Sequence, residues 1–516
     1  MHVTMAILAY QSIFLSLAVV LFIKMLLSHI KLNKNKMLPP SPPALPLIGH
    51  LHLVKKPRHE SLSRISKQYG PATFLKFGSR PVLVISSYSL VEQCFTTNDI
   101  AFADRANLPA VKQITFDYKH IGTANYGLHW RNVRQIAVTE VLSPQRLHTS
   151  IDIRAGEVTD MVRQLFKPWN ASAGSKGSNY FQKVELKTKL FELSLNVIMT
   201  MIAGKRFCGD NLEDCEETKR FREGVEEFFS MGGTSNTEDF LPILKLFGMA
   251  KATKKLNRLA ELNKEMTLKL IDEHRKEGAQ KKNTMIANLL EQQKENPEKY
   301  NDYIIQILIV SLLQAGTDTV SNTAEWAMTL LLNNPDILKK ASAEIDAHVG
   351  NKRLVQESDM PNLPYLQCII NEVLRLYPGG AILLPHKSRE NVSLGGYEIP
   401  AGTILLVNTY QIHRDPSLWK VPTKFKPDRF ESGKLESNKQ MMIPFGMGRR
   451  RCPGEALAMR EIGLILGTLI QCFDWKRIGD ELVDMSEGPG LTLPKAVPLE
   501  ALYCPRLAMM DILSAI

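Results

Sequence analysis

Hydrophobic and polar positions divide the chain into regions of different period. Residues 3–23 are uncharged and largely apolar, and Lys24, a further apolar stretch and the basic Lys31, Lys34 and Lys36 follow. About twenty such residues suffice to cross a bilayer as a helix, so the run predicts a transmembrane anchor over residues 1–30. A cleaved signal would carry basic residues ahead of its apolar core and a small-x-small site behind it, and neither stands out. Positive charge after the span predicts a single-pass arrangement with the body of the chain cytosolic, and the endoplasmic reticulum is the natural membrane for it. Residues 31–46 join the basic patch to Pro39, Pro40, Pro42, Pro43 and Pro46. Successive prolines fix φ and forbid helix, which predicts a stiff hinge between anchor and body.

From residue 47 the pattern changes again. Short alternating runs at 72–77 and 81–86, flanked by Gly70-Pro71 and Gly78, predict a small hairpin. Helical periodicity dominates 90–376. A second short-strand region at 392–399 and 403–408 is split by Pro400-Ala401-Gly402, and turn-rich sequence runs on to about residue 445. With the β-rich pieces at two distant places, the expected body is one domain over 47–516, mainly α with a minor β region assembled from both ends. Residues 303–315 are apolar enough to suggest a second span. However, Gln306 and Gln314 interrupt them and the run continues as Thr317-Asp318-Thr319 into helix-prone sequence. That pattern predicts one long buried helix crossing the centre of the domain.

Composition narrows the class. The chain has 516 residues, 44% of them hydrophobic, and a formal net charge of +11. Its basic residues are scattered and form no stripe with interleaved aromatics, so nucleic acid is not an expected partner. Seven cysteines, at 94, 208, 215, 368, 452, 472 and 504, are dispersed with no C-x-x-C pair, which argues against a disulfide framework or zinc cluster and for a reducing compartment. Sequons at Asn170 and Asn391 would then face the side without glycosylation and read as chance matches.

Only Cys452 has an unusual setting, Pro444-Phe445-Gly446-Met447-Gly448-Arg449-Arg450-Arg451-Cys452-Pro453-Gly454. Glycines on both sides let the backbone curl close to a bulky planar partner, and Phe445 can shield the sulfur from water. A helix starting just beyond the cysteine, together with the arginines, favours thiolate over thiol. The plainer reading is a basic loop with a buried cysteine. In the central helix, Ala315-Gly316-Thr317-Asp318-Thr319 sets small residues beside a carboxylate and a hydroxyl, a pair able to relay protons. A kink with threonines bonded to the preceding turn explains the same residues. Glu372 and Arg375 share a helix face and can pair, Trp130 and Arg134 lie one turn apart, and His386 stands alone near a strand.

The cysteine loop matches, at every fixed position, the haem-binding pattern F-x-x-G-x-R-x-C-x-G of the cytochrome P450 family, which the chain resembles over essentially its whole length. The resemblance implies the cytochrome P450 fold and haem b, iron protoporphyrin IX, ligated by the Cys452 thiolate beside Phe445. It implies contacts from Trp130, Arg134, His386 and Arg450 to the haem propionates, and Asp318 with Thr319 as the catalytic pair in oxygen activation. Pro427-Asp428-Arg429-Phe430 resembles the family's P-E-R-F element with Asp for Glu, which implies a structural triad of Glu372, Arg375 and Arg429. By family position the substrate pocket takes Leu312, Ala315, Gly316, Ala381, Ile382, Leu491 and Thr492. The implied partners are O2, a small lipophilic substrate, the membrane, and NADPH-cytochrome P450 reductase, which would supply electrons from NADPH and dock near Arg449 and Arg451.

Phe95-Thr96-Thr97-Asn98-Asp99, His129-Trp130-Arg131 and Gly395-Gly396-Tyr397 resemble the plant microsomal group that includes isoflavone 2′-hydroxylases and sesamin-type methylenedioxy-bridge synthases. That resemblance implies hydroxylation or oxidative ring closure of an aromatic specialised metabolite such as a phenylpropanoid, flavonoid, lignan or xanthone precursor, with a terpenoid or alkaloid as the alternative. The chain departs from the group at Gly379-Gly380-Ala381 and at Phe102-Ala103-Asp104-Arg105-Ala106, both bordering the family's pocket, which leaves the substrate open. A haem-thiolate isomerase or dehydratase, or a non-catalytic haem-binding protein, would have no need of the acid-alcohol pair.

Overall fold

The computed structural model describes residues 37–176, 180–207, 237–241, 251–277, 283–431 and 440–516, with isolated positions at 16, 19, 20, 223 and 224. Apart from three isolated positions, the expected anchor lies outside the described residues, as do the basic patch of the hinge, Cys208 and Cys215.

Arg58–Tyr69 (α1) leads into the expected hairpin, Ala72–Phe77 (β1) and Arg80–Ile85 (β2), paired antiparallel from Ala72↔Ile85 to Phe77↔Arg80. Tyr88–Phe95 (α2), the two-residue Asp104–Arg105 (β3), Leu128–Ala137 (α3) and Ile151–Lys176 (α4) come next. Gln182–Glu185 (β4), Leu186–Ala203 (α5), Lys251–Glu277 (α6) and Met285–Glu295 (α7) carry the chain to Asp302–Asn333 (α8). Pro335–His348 (α9) and Pro364–Leu376 (α10) precede His386–Lys387 (β5), Val392–Leu394 (β6), Tyr397–Ile399 (β7) and Ile404–Val407 (β8). The last elements needed here are Glu455–Cys472 (α11), Phe473–Lys476 (β9) and Glu500–Pro505 (β10).

The long apolar run is a single core helix. At its start the Asn301 side chain accepts the Ile304 N–H at 3.0 Å, which caps α8, and Pro335 ends it by forbidding continuation. Its 32 residues are buried over most of their length, and at 1.5 Å per residue they span about 48 Å. It is long and apolar enough to cross a membrane, but most of it is buried inside the protein. Against it packs α5, so closely that a Cβ on Gly316 would come within 2.7 Å of Ile198.

The minor sheet joins the two ends of the domain, in the order β1-β2-β8-β5-β3. Within it β8 runs parallel to β2, from Val82↔Ile404 to Ile85↔Val407, while β5 is antiparallel to β8 and β3 to β5. β6 and β7 form a separate hairpin, and β4-β10-β9 make a third sheet that the sequence reading did not anticipate. The proline segment differs from expectation. It is extended, but it is fastened to the body: Phe74 N–H donates to Pro40 O at 2.9 Å, and Glu398 N–H to Met37 O at 2.8 Å. His50 accepts the Lys76 N–H on Nδ1 and donates from Nε2 to Pro42 O at 2.8 Å. Pro39 and Pro42 are buried, so this part of the hinge belongs to the globular body, and the boundary expected at residue 47 falls earlier.

Candidate active site

Along the buried α8, Ala315 at mid-helix is exposed and Gly316 and Thr319 are partly so. Accessible positions at the centre of a core helix mean that the helix borders internal space. Cys452 is accessible too, though protein surrounds it closely. Its loop depends on two glycines in the left-handed region, Gly446 at φ 73° and Gly448 at φ 67°. At Gly448 a Cβ would sit 2.6 Å from both Phe95 O and an Asp99 carboxylate oxygen. The Cys452 N–H donates to Phe445 O at 2.8 Å, closing the loop so that the Gly454 N–H faces the sulfur.

Burial pushes the Cys452 thiol up. The Gly454 N–H, Arg134 and Arg451 pull it back, while Glu455 adds to the rise. The N–H at the helix start and the nearby arginines favour thiolate, as the sequence predicts, but burial outweighs them. A coordinated metal ion deprotonates a thiol outright, so iron itself would supply that charge. Arg449 is occupied by Asp99 at 2.8 Å and the Tyr126 hydroxyl at 2.7 Å. Arg451 is exposed and paired with Glu455 at 2.6 Å.

Beside this loop lies a buried cationic cluster. Arg450 donates to Ala103 O at 2.8 Å and Ala124 O at 2.6 Å, while its Nη1 is buried without a partner. Burial lowers it to about 10. Arg105 donates to Leu384 O at 2.6 Å and also keeps an unpartnered buried nitrogen, Nε. Burial, then Arg450, holds it well below the usual guanidinium range. His386 donates from Nδ1 to Phe102 O at 2.7 Å. Burial, then Arg105 and more weakly Arg450, lowers this imidazole well below its ordinary value. Trp130 donates its N–H to Ile121 O at 3.1 Å, and its ring supports Arg450 at 4.2 Å and Arg134 at 5.3 Å. Arg134 donates to Arg451 O at 2.7 Å.

Mutually repelling cations with orphaned buried N–H groups call for an anion. A planar dicarboxylate such as haem fits that requirement and the accessible Cys452 sulfur together. Sequence reasoning missed Arg105, although it stands in the stretch marked as a departure.

The structure places the acid and the alcohol of α8 apart. Thr319 is back-bonded to Ala315 O at 2.7 Å. Asp318 is buried, and its Oδ2 accepts from Asn322 at 2.8 Å and from the Thr492 hydroxyl. Thr492 is thus a partner of Asp318 instead of a pocket wall. Gly316 is small because Ile198 presses on it, and Ile382 packs with Leu406 on the cluster around β1 and β2. Ala381 and Leu312 are buried, and Leu491 is partly buried. Leu384, not anticipated, is an exposed apolar side chain 3.5 Å from where a Gly122 Cβ would lie.

Glu372, Arg375 and Arg429 do meet. Arg375 grips both Glu372 oxygens at 2.7 and 2.9 Å, and Arg429 reaches one of them at 2.9 Å. Trp419 lies against both guanidinium groups, 5.2 Å from Arg375 and 6.0 Å from Arg429. His413, buried and lowered to about 3, donates to Arg375 O and accepts the Ile443 N–H at 2.9 Å, three residues before the cysteine loop's Gly446.

A helical core with a small sheet, a cysteine loop and a cationic cradle defines a haem-thiolate oxidoreductase. The chain belongs to the cytochrome P450 family, whose model matches residues 39–499, and it is a monooxygenase of that family. It is 45% identical to a (+)-piperitol/(+)-sesamin synthase of Sesamum radiatum over 98% of both chains. It is 44% identical to an isoflavone 3′-hydroxylase of Medicago truncatula, over 95% of this chain and 96% of the relative. A zebra fish cytochrome P450 solved with abiraterone superposes with TM-score 0.70 at 25% identity, covering 87% of this chain and 99% of that one.

Proposed function

We propose that the chain is an endoplasmic reticulum enzyme, anchored by residues 1–30 with its body cytosolic. It takes electrons from NADPH through NADPH-cytochrome P450 reductase and uses O2 to hydroxylate, or close a ring on, an aromatic plant metabolite of isoflavonoid or lignan type. The observation that carries the substrate class is similarity along the whole chain to isoflavone hydroxylases and to a sesamin synthase. In this reading Cys452 holds the haem iron, and Arg105, Arg134 and Arg450 receive the propionates. Bound haem supplies dioxygen cleavage, which the thiolate promotes by pushing electron density toward iron. Ala315, lacking bulk at an accessible point of α8, leaves room for substrate; Thr319 and Asp318 handle protons.

The test uses microsomes carrying the chain and a reductase. The reduced, carbon monoxide-bound spectrum should show the red-shifted Soret band of a thiolate ligand, and Cys452→Ala should lose it. The same microsomes with NADPH should convert a panel member, isoflavone or lignan, to a product that has gained one oxygen or lost two hydrogens. A normal band with no conversion of either class would overturn the substrate proposal, and absence of the band from well-expressed protein would overturn the haem-thiolate assignment.

A further inference from the structure

The chain between residues 483 and 499 lies along the C-terminal half of α8 and is stitched to it side chain by side chain. Asn333 and Val483 exchange two hydrogen bonds, at 3.0 and 2.8 Å. Trp326 donates its indole N–H to Leu493 O at 2.7 Å, and Glu325 accepts the Leu499 N–H at 2.8 Å. The loop is also braced internally, with Gly488 N–H on Pro494 O at 2.7 Å and Ala496 N–H on Ser486 O at 2.9 Å. Its outer edge is held by Glu487, which meets His59 of α1 at 2.7 Å across 428 residues of sequence. Thr492 therefore arrives at α8 from a fixed backbone.

At that point three side chains form a closed ring. The Thr492 hydroxyl donates to Asp318 Oδ2, Asn322 donates to the same oxygen at 2.8 Å, and Asn322 also donates to the Thr492 oxygen at 3.1 Å. Consecutive helix residues point about 100° apart. The ring fixes Asp318 on the buried flank of α8, while Thr319 opens toward the internal space. We infer that Thr492 and Asn322 are positioning residues that store the Asp318 carboxylate away from Thr319. The acid then serves the oxygen site only by a rotamer change that releases the Thr492 hydroxyl. The inference rests on the reading of Asp318 as a proton-handling group and adds to it the element that sets its position.

Four variants of the full chain, Thr492→Val, Thr492→Ser, Asp318→Asn and the Thr492→Val/Asp318→Asn pair, separate the two ideas. All should keep the carbon monoxide band. Thermal unfolding of the haem-loaded proteins reads the contact: Thr492→Val should lower the melting temperature of the parent and lower it less in the Asp318→Asn background, because a neutral amide oxygen accepts the hydroxyl more weakly than a carboxylate does. Purely additive shifts would overturn the contact. With reductase and NADPH but no added substrate, hydrogen peroxide released per NADPH consumed reads proton delivery. It should change at least two-fold in Asp318→Asn and in Thr492→Val, and return to the parent value in Thr492→Ser. An unchanged ratio in Asp318→Asn would remove the proton-handling reading itself. A changed ratio there with none in Thr492→Val, or no rescue by serine, would overturn the positioning role alone. Asn322→Leu asks the same question from the second donor should Thr492→Val fail to take up haem.

Discussion

Glu461 lies on α11 with its side chain fully buried near Ser194 of α5, and burial pushes its carboxyl up to about 8 against the pull of Ser194 and Arg154. The folded chain therefore holds this proton up to about pH 8, whereas the unfolded chain releases it near the ordinary carboxyl value. Between those limits the unfolded state binds fewer protons, so stability falls as pH rises, by roughly 4 to 5 kcal/mol across the window. Glu461→Gln should flatten that loss and raise the urea midpoint at pH 9 above the parent's. Parallel pH dependences of the two midpoints from pH 5 to 9 would sink the assignment. The loop glycines differ at the same scale. Gly446 has open space around its missing Cβ, so alanine there meets only the positive φ and should cost about 1 kcal/mol. Gly448 would drive a Cβ into Phe95 O, a backbone atom that cannot swing aside, and alanine should cost more than about 3 kcal/mol. Haem content after mild heating ranks them, and equal losses would contradict the contact.

Among elements, α10 shows why some features are legible in sequence and others are not. The i, i+3 spacing of Glu372 and Arg375 is visible from the helical period, and Arg429 from its motif. Their enclosure is not, because Arg375 also donates to the His413 and Pro422 carbonyls and Lys426 N–H reaches Glu372, and backbone groups carry no sequence signature. Glu372 serves both arginines at full burial, whereas Arg429 is slightly exposed. Glu372→Ala removes the buried carboxylate that serves both Arg375 and Arg429 and should cost about 3 to 5 kcal/mol, with haem lost first; Arg429→Ala should cost less. The carbon monoxide band and melting temperature of each variant test that order, and a milder Glu372→Ala would refute it. Hairpin β1-β2 and helix α8 were readable because each runs long enough to display its period. β3 and β5 have two residues each, too few to alternate, and β4-β9-β10 join segments distant in the chain. The Cys452 loop was fully legible as a motif. Asp318's turn toward Thr492, Trp130's bond to Ile121 and Gly316's contact with Ile198 were not, since each depends on which neighbour the tertiary structure supplies.

For the whole molecule, the sheet closes only when β1-β2 and β8, more than 300 residues apart, lie side by side, and the segment from Met37 to His50 seals that junction. Glu398 of β7 and Phe74 of β1 each donate a backbone N–H to it, and Pro39 and Pro42 are buried against the body. A proline chain suits this task because it offers carbonyls while losing little conformational entropy on docking. Two truncations follow from that placement. A chain beginning at residue 37 keeps every one of these contacts and should match the full protein in carbon monoxide spectrum and urea midpoint while losing its attachment to microsomes. A chain beginning at residue 47 loses the two backbone hydrogen bonds to β1 and β7, the turn bonds that Leu45 and Pro46 make with Gly49 and Ile48, the His50 partner at Pro42 and the buried prolines, worth about 2 to 4 kcal/mol or more together. It should unfold at lower urea and shed haem sooner. Equal midpoints for the two truncations would mean that the proline segment is a free spacer after all, and loss of the spectrum in the chain beginning at residue 37 would mean that the body needs the preceding residues to fold.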